Sequence, residues 1–92
     1  MRIRFYLDPA TGMPHIHGHD VDEDEVADVL GRPGEDRAGP DGSRVALGQT
    51  RAGRYLRVIY VPESTGVFVI TAYELRGKPL LAYRRRRRRR PK

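Results

Sequence analysis

Ninety-two residues with no cysteine, 18 basic against 12 acidic side chains and 38% hydrophobic content describe one small domain, because so short a chain cannot fill a second core. The missing thiols exclude a disulfide framework, a zinc ribbon and a cysteine nucleophile, and no run approaches the roughly 18 apolar residues of a membrane span. The net charge of +6 hides two populations, since eight positive charges lie between Arg84 and Lys92 and leave 10 basic against 12 acidic residues in the rest of the chain.

The opening Met1-Arg2-Ile3-Arg4 leads into the alternation Ile3, Phe5, Leu7 against Arg2, Arg4, Tyr6. That is a strand burying one face rather than the apolar block of a signal peptide, so a cytoplasmic protein with no membrane partner is expected. Asp8-Pro9-Ala10-Thr11-Gly12 has the Pro and Gly chemistry of a turn. Between Val21 and Gly31 the helix signals agree: Asp22 as N-cap, Glu25 three residues on as in a capping box, and Val21 placed to staple onto Val26. Val26, Val29 and Leu30 form its apolar stripe, and Gly31 is its stop.

Arg32 to Gly42 shows no periodicity and reads as a surface loop of eleven residues. Ser43–Thr50 and Arg54–Val61 then read as two strands joined by Arg51-Ala52-Gly53, and Val67–Leu75, after the turn at 62–66, as a third that is broken by Gly77 and Pro79. Short connections force these late strands to be antiparallel. The expected fold is a small α+β domain over residues 1–83, with an antiparallel sheet of three to four strands packed on one short helix. Its second sheet face is left open to solvent, a partner or function. Arg84 to Lys92 is expected to be a disordered basic tail, because its like charges repel and bury nothing.

Three segments resemble a known family. His19-Asp20-Val21-Asp22-Glu23-Asp24-Glu25-Val26 is similar to the helix entry of BrnT-type and related DUF4258 toxin-like proteins. Gly48 to Val58 is similar to their Gly-x-Thr-x-x-Gly-Arg-x-Leu-x-Val hairpin, and Val69-Ile70-Thr71-Ala72-Tyr73 to their Ile-Ser/Thr-Ala segment. Spanning about residues 15 to 83, the resemblance implies a RelE/ParE-like fold, an RNA substrate and a cognate antitoxin protein in a type II toxin-antitoxin module, with metal-independent endoribonuclease activity that uses no cofactor. The sequence departs from the family where Tyr73-Glu74-Leu75, Gly-Lys-Pro and the basic tail stand in place of a basic residue and a charged C-terminal helix.

Cleavage at a 2′-hydroxyl needs a proton acceptor, cations for the charge on phosphorus and an acid for the leaving oxygen. His19, Arg57, Thr71 and Tyr73 are the residues expected to converge on one sheet face and supply these as catalytic groups. Plainer roles stand beside these: His19 as a helix-entry hydrogen-bonding residue, Arg57 as a solvated cross-strand partner, Tyr73 as a core or edge aromatic. For RNA binding the candidates are Arg54, Tyr83 as a stacking platform, and Arg84, Arg85, Arg86, Arg87, Arg88, Arg89, Arg90 and Lys92. His15, His17 and His19 would share one side of an extended segment, but with too few further ligands for a two-metal site no metal is assigned. The alternatives to a ribonuclease are a non-catalytic RNA- or ribosome-binding protein working through the arginine tail, and an interaction module forming a homodimer through Tyr55, Tyr60 or Tyr73.

Overall fold

Apolar–polar alternation builds the sheet and capping chemistry starts the first helix. In a computed structural model describing residues 1–89, the chain forms β1 (Arg2–Phe5), a 3₁₀ segment (His15–His19), α1 (Glu23–Gly31), β2 (Glu35–Ala38) and a 3₁₀ turn (Pro40–Gly42). It continues through β3 (Arg44–Gln49), β4 (Tyr55–Glu63), β5 (Gly66–Glu74) and α2 (Gly77–Arg89). The five strands make one mixed sheet in the order β1-β5-β4-β3-β2, in which β1 runs parallel to β5 and all other pairs are antiparallel. No described helix is long and apolar enough to cross a membrane.

One face carries the main core. Leu56, Val58 and Tyr60 of β4, Val67, Val69 and Ala72 of β5, and Ala46 of β3 meet Val26 and Val29 of α1 and Ile16 of the 3₁₀ segment. The alternation of β5 shifts phase at an irregularity opposite Ile59 and Tyr60 that leaves Ile70 outside the register pairing, so its core-facing residues run Val67, Val69 and then Ala72. The start of α1 is formed as its residues dictate: the Asp22 side chain accepts from the Glu25 amide at 2.9 Å, Glu25 Oε1 accepts from the Asp22 amide at 3.1 Å, and the Val21–Val26 pair is buried. Gly48 lies directly under α1, where an added Cβ would stand 3.1 Å from Val29 Cγ1.

Three expectations are corrected. The loop after α1 contains β2, a polar edge strand that alternation could not reveal because most of it is exposed; its ladder with β3 and the pairing of Asp36 with Arg44 at 2.8 Å hold it. The sheet therefore has five strands, more than the three to four expected. The largest difference is at the C-terminus, where Gly-Lys-Pro opens a second helix and the arginines through Arg89 continue it. Pro79 sits in the first turn, where a missing N–H costs no helical hydrogen bond, and arginine is a good helix former. Leu80 and Tyr83 anchor this helix on the second sheet face against Leu47 and Leu75, with Val45 and Tyr55 beside them. Residues 84–89 are thus not a disordered tail, and the charged C-terminal helix that the sequence was expected to lack is present. The side chain of Arg89, together with Arg90 and Lys92, lies outside the described residues.

Candidate functional site

Once docked on the second face, α2 borders two concave surfaces. The larger is an open cleft of about 840 Å³ between the C-terminal half of α1, the β3–β4 turn and α2. Arg32 enters from the end of α1, Arg51 from the turn, and Arg84, Arg87 and Arg88 from α2, while Asp28 is the one carboxylate among the described residues of the lining. Tyr55 and Tyr83 lie at its base with their rings edge to face at 6.1 Å, and the Arg84 guanidinium stands 5.8 Å from the Tyr55 ring centroid.

The wall made by α2 is held by specific contacts. Arg86 Nε donates to Glu35 Oε2 at 2.5 Å, Arg37 donates to Glu35 Oε1 at 2.6 Å, and Arg87 donates to the Gly34 carbonyl at 2.9 Å. Gly34 is required where it is, because a Cβ there would stand 1.8 Å from the Tyr83 hydroxyl oxygen. Burial raises the Tyr83 phenol above its ordinary pKa. The hydrogen bond from Arg86, and then that from Arg37, holds the Glu35 carboxyl below the usual range. A carboxylate lowered by folding contributes stability that is complete above its unfolded pKa and is lost as pH falls through its folded one. Wild-type α2 is therefore expected to loosen as pH drops below about 4, and Glu35→Gln to remove that part of the acid dependence, as read by far-ultraviolet circular dichroism of the two proteins titrated side by side.

The four residues expected to be catalytic fall along β4, β5 and the 3₁₀ segment. His19 and Tyr73 approach with ring centroids 5.8 Å apart, and Tyr73 lies directly opposite Arg57 in the β4–β5 ladder. Thr71 faces Ile59 two positions along, so Arg57, Thr71 and Tyr73 share the second face by alternation. Both Arg57 Nε and Thr71 Oγ1 are buried without a hydrogen-bond partner among the described residues. The His19 ring also packs against His15 at 5.2 Å, and His15 against Tyr6 at 5.9 Å.

Other residues are committed to structure. Arg54 bonds Glu25 at 3.0 Å and the Asp20 carbonyl at 2.6 Å, with Glu74 at 3.6 Å, so it ties α1 to the β4–β5 end of the sheet. Tyr83 is 4% exposed and serves as an anchor, which leaves Tyr55 as the more accessible ring of the cleft. Tyr60 is buried, with its hydroxyl donating to Asp36, so it offers no dimer surface. The histidines do not line one side of an extended segment: residues 15–19 are 3₁₀, and His17 pairs with Glu23 at 2.7 Å. Among the described residues no cluster of three or more side chains could hold a metal ion. Arg32 and Arg51 were not singled out from the sequence, since each is an isolated cation in a polar segment; the fold brings them to the arginines of α2.

The class defined by fold and site is therefore a small α+β domain with a mixed five-stranded sheet, two helices and an arginine-lined cleft. No family model, no curated protein and no solved structure matches the chain.

Proposed function

We propose that this protein binds single-stranded RNA in the arginine cleft, through the phosphate backbone and by stacking a base on Tyr55. The observation that carries this reading is the meeting, among the described residues, of five arginines from three separate segments over two tyrosines, with Asp28 as the sole carboxylate in the lining. Guanidinium groups bond phosphate oxygens in pairs, and an aromatic face accepts any base, which together give affinity with little sequence preference. Fluorescence anisotropy of a labelled mixed-sequence oligonucleotide is expected to show saturable binding whose logarithm falls linearly with the logarithm of salt concentration. Absence of binding at 50 mM salt would sink the proposal.

The placement of His19 against Tyr73, and of Tyr73 opposite Arg57, favours a second reading, that of a toxin-like endoribonuclease from a type II module restrained by an antitoxin. In this reading His19 accepts the proton of the 2′-hydroxyl, Arg57 neutralises the pentavalent phosphorus and Tyr73 protonates the leaving 5′ oxygen. Thr71, with its hydroxyl buried two residues before Tyr73, supports the strand that presents Tyr73 opposite Arg57. Cleavage of labelled RNA that survives chelator and disappears in an Arg57→Ala, Tyr73→Ala double variant is the expected result. RNA binding without cleavage leaves the first reading and removes the second.

A further inference from the structure

The other flank of α2 covers a second concavity, a groove of about 380 Å³ whose apolar lining includes Leu47 and Leu75 from the sheet side and Pro79 and Ala82 from the helix. Arg57 projects into this lining. Other arginines that are partly withdrawn from solvent have carboxylates: Arg44 has Asp36, and Arg54 has Glu25 and Glu74. The two cations at the rim of the groove, Arg37 and Arg86, are both held by Glu35. Among arginines whose side chains are described, Arg57 alone is partly withdrawn from solvent and has no ion-pair partner, and its Nε is buried with no acceptor. A guanidinium in such a setting loses hydration without the compensation that an anion would give.

We propose that this groove binds a small organic carboxylate with a compact apolar body, the carboxylate bonded by Arg57 and the body lying between Leu47, Leu75 and Ala82. The volume is at the lower end for small-molecule pockets, and the combination of an apolar lining with one unmatched polar group is how such pockets fix orientation. The charge match selects an anion, and the lining selects one with a hydrocarbon part over a bare inorganic ion. The site is separate from the RNA cleft, whose cations Arg84, Arg87 and Arg88 lie on the other flank of α2.

Hexanoate is the probe, titrated into the isotopically labelled full chain without RNA and followed by amide chemical shifts. Saturable shifts at Leu47, Arg57, Leu75 and Ala82 are expected, with hexan-1-ol and acetate each binding at least about tenfold more weakly because each lacks one half of the match. Arg57→Met is expected to weaken hexanoate binding by a similar factor while keeping the fold, since it replaces an unmatched cation with an apolar side chain of similar length. Ala82→Glu provides a second variant that does not depend on how the first one folds. Its carboxylate, carried on α2 within the groove, is expected to take Arg57 and abolish the hexanoate response with the helical signal retained. Equal binding of hexan-1-ol and hexanoate, undiminished binding to either variant, no saturable binding to wild type, or shifts confined to the Tyr55–Arg84 cleft would each overturn the proposal. None of these outcomes bears on RNA binding in the arginine cleft, which is read with a different ligand and with residues that do not include Arg57.

Discussion

Replacing Arg84, Arg87 and Arg88 together with glutamine is expected to weaken single-stranded RNA binding by about two orders of magnitude at low salt. It should also reduce the slope of log affinity against log salt by about 2, because each phosphate contact on a single strand contributes roughly 0.7 to that slope. The three side chains share the cleft wall, whereas Arg86 faces Glu35 and is already matched. Arg86→Gln is therefore the informative partner variant: it removes the same charge from the same helix, and the expected effect on the salt slope is less than half that of an average member of the triple. Glutamine keeps helix propensity close to that of arginine, so the helix itself should persist. Equal slopes for the triple variant and wild type would show that the cleft does not contact phosphate.

Tyr83→Ala is expected to have the largest effect on the fold. The side chain is 4% exposed and, with Leu47 and Leu75, makes up the small second core that holds α2 to the sheet. Truncating a buried aromatic costs about 3 kcal/mol or more, which in a domain of this size lowers Tm by roughly 12–24 °C. Tyr83→Phe keeps the ring and is expected to stay within about 1 kcal/mol of wild type. Gly34→Ala should act in the same direction as Tyr83→Ala, because the added methyl meets the Tyr83 hydroxyl at 1.8 Å. Calorimetry and circular dichroism measure the loss, and RNA binding by the same variant gives it meaning. Once α2 has undocked, its arginines keep their charge but lose their placement beside Arg32, Arg51 and Tyr55. Affinity that falls with the fold supports the cleft; affinity and salt slope that survive undocking would mean that the arginine run binds as a loose polycation.

These two results also separate roles that the same residues could play. A polycationic tail needs charge alone, and its position on the sheet would be immaterial. The cleft needs Glu35 to hold Arg86, Gly34 to admit Tyr83, and Tyr55 to remain reachable between them. The acid sensitivity expected of the Glu35 contact, from the hydrogen bond of Arg86 that lowers its pKa, provides a third and independent handle on the same docking event.

Local sequence was sufficient for β3, β4, β5 and the start of α1, because alternation, a capping box and a hydrophobic staple are interactions between residues close in the chain. It was also sufficient to choose Arg57, Thr71 and Tyr73 as sharing a face, since that follows from the two-residue period of a strand and the antiparallel pairing of β4 with β5. Glu35–Ala38 could not be recognised as a strand, for its stability comes from the ladder with β3 and from ion pairs with distant residues. The arginine run could not be recognised as a docked helix either, because repulsion is a property of the run itself, while Glu35 and Gly34, which help to offset it, lie 51 and 53 residues from their partners Arg86 and Arg87, and Leu47 joins the helix only through the folded sheet. For the same reason the cleft and the groove belong to the assembled molecule: an isolated Arg32, Arg51 or Arg57 carries no sign of what will face it, and only the packing of α2 against the sheet sets which cations gather and which one is left unmatched.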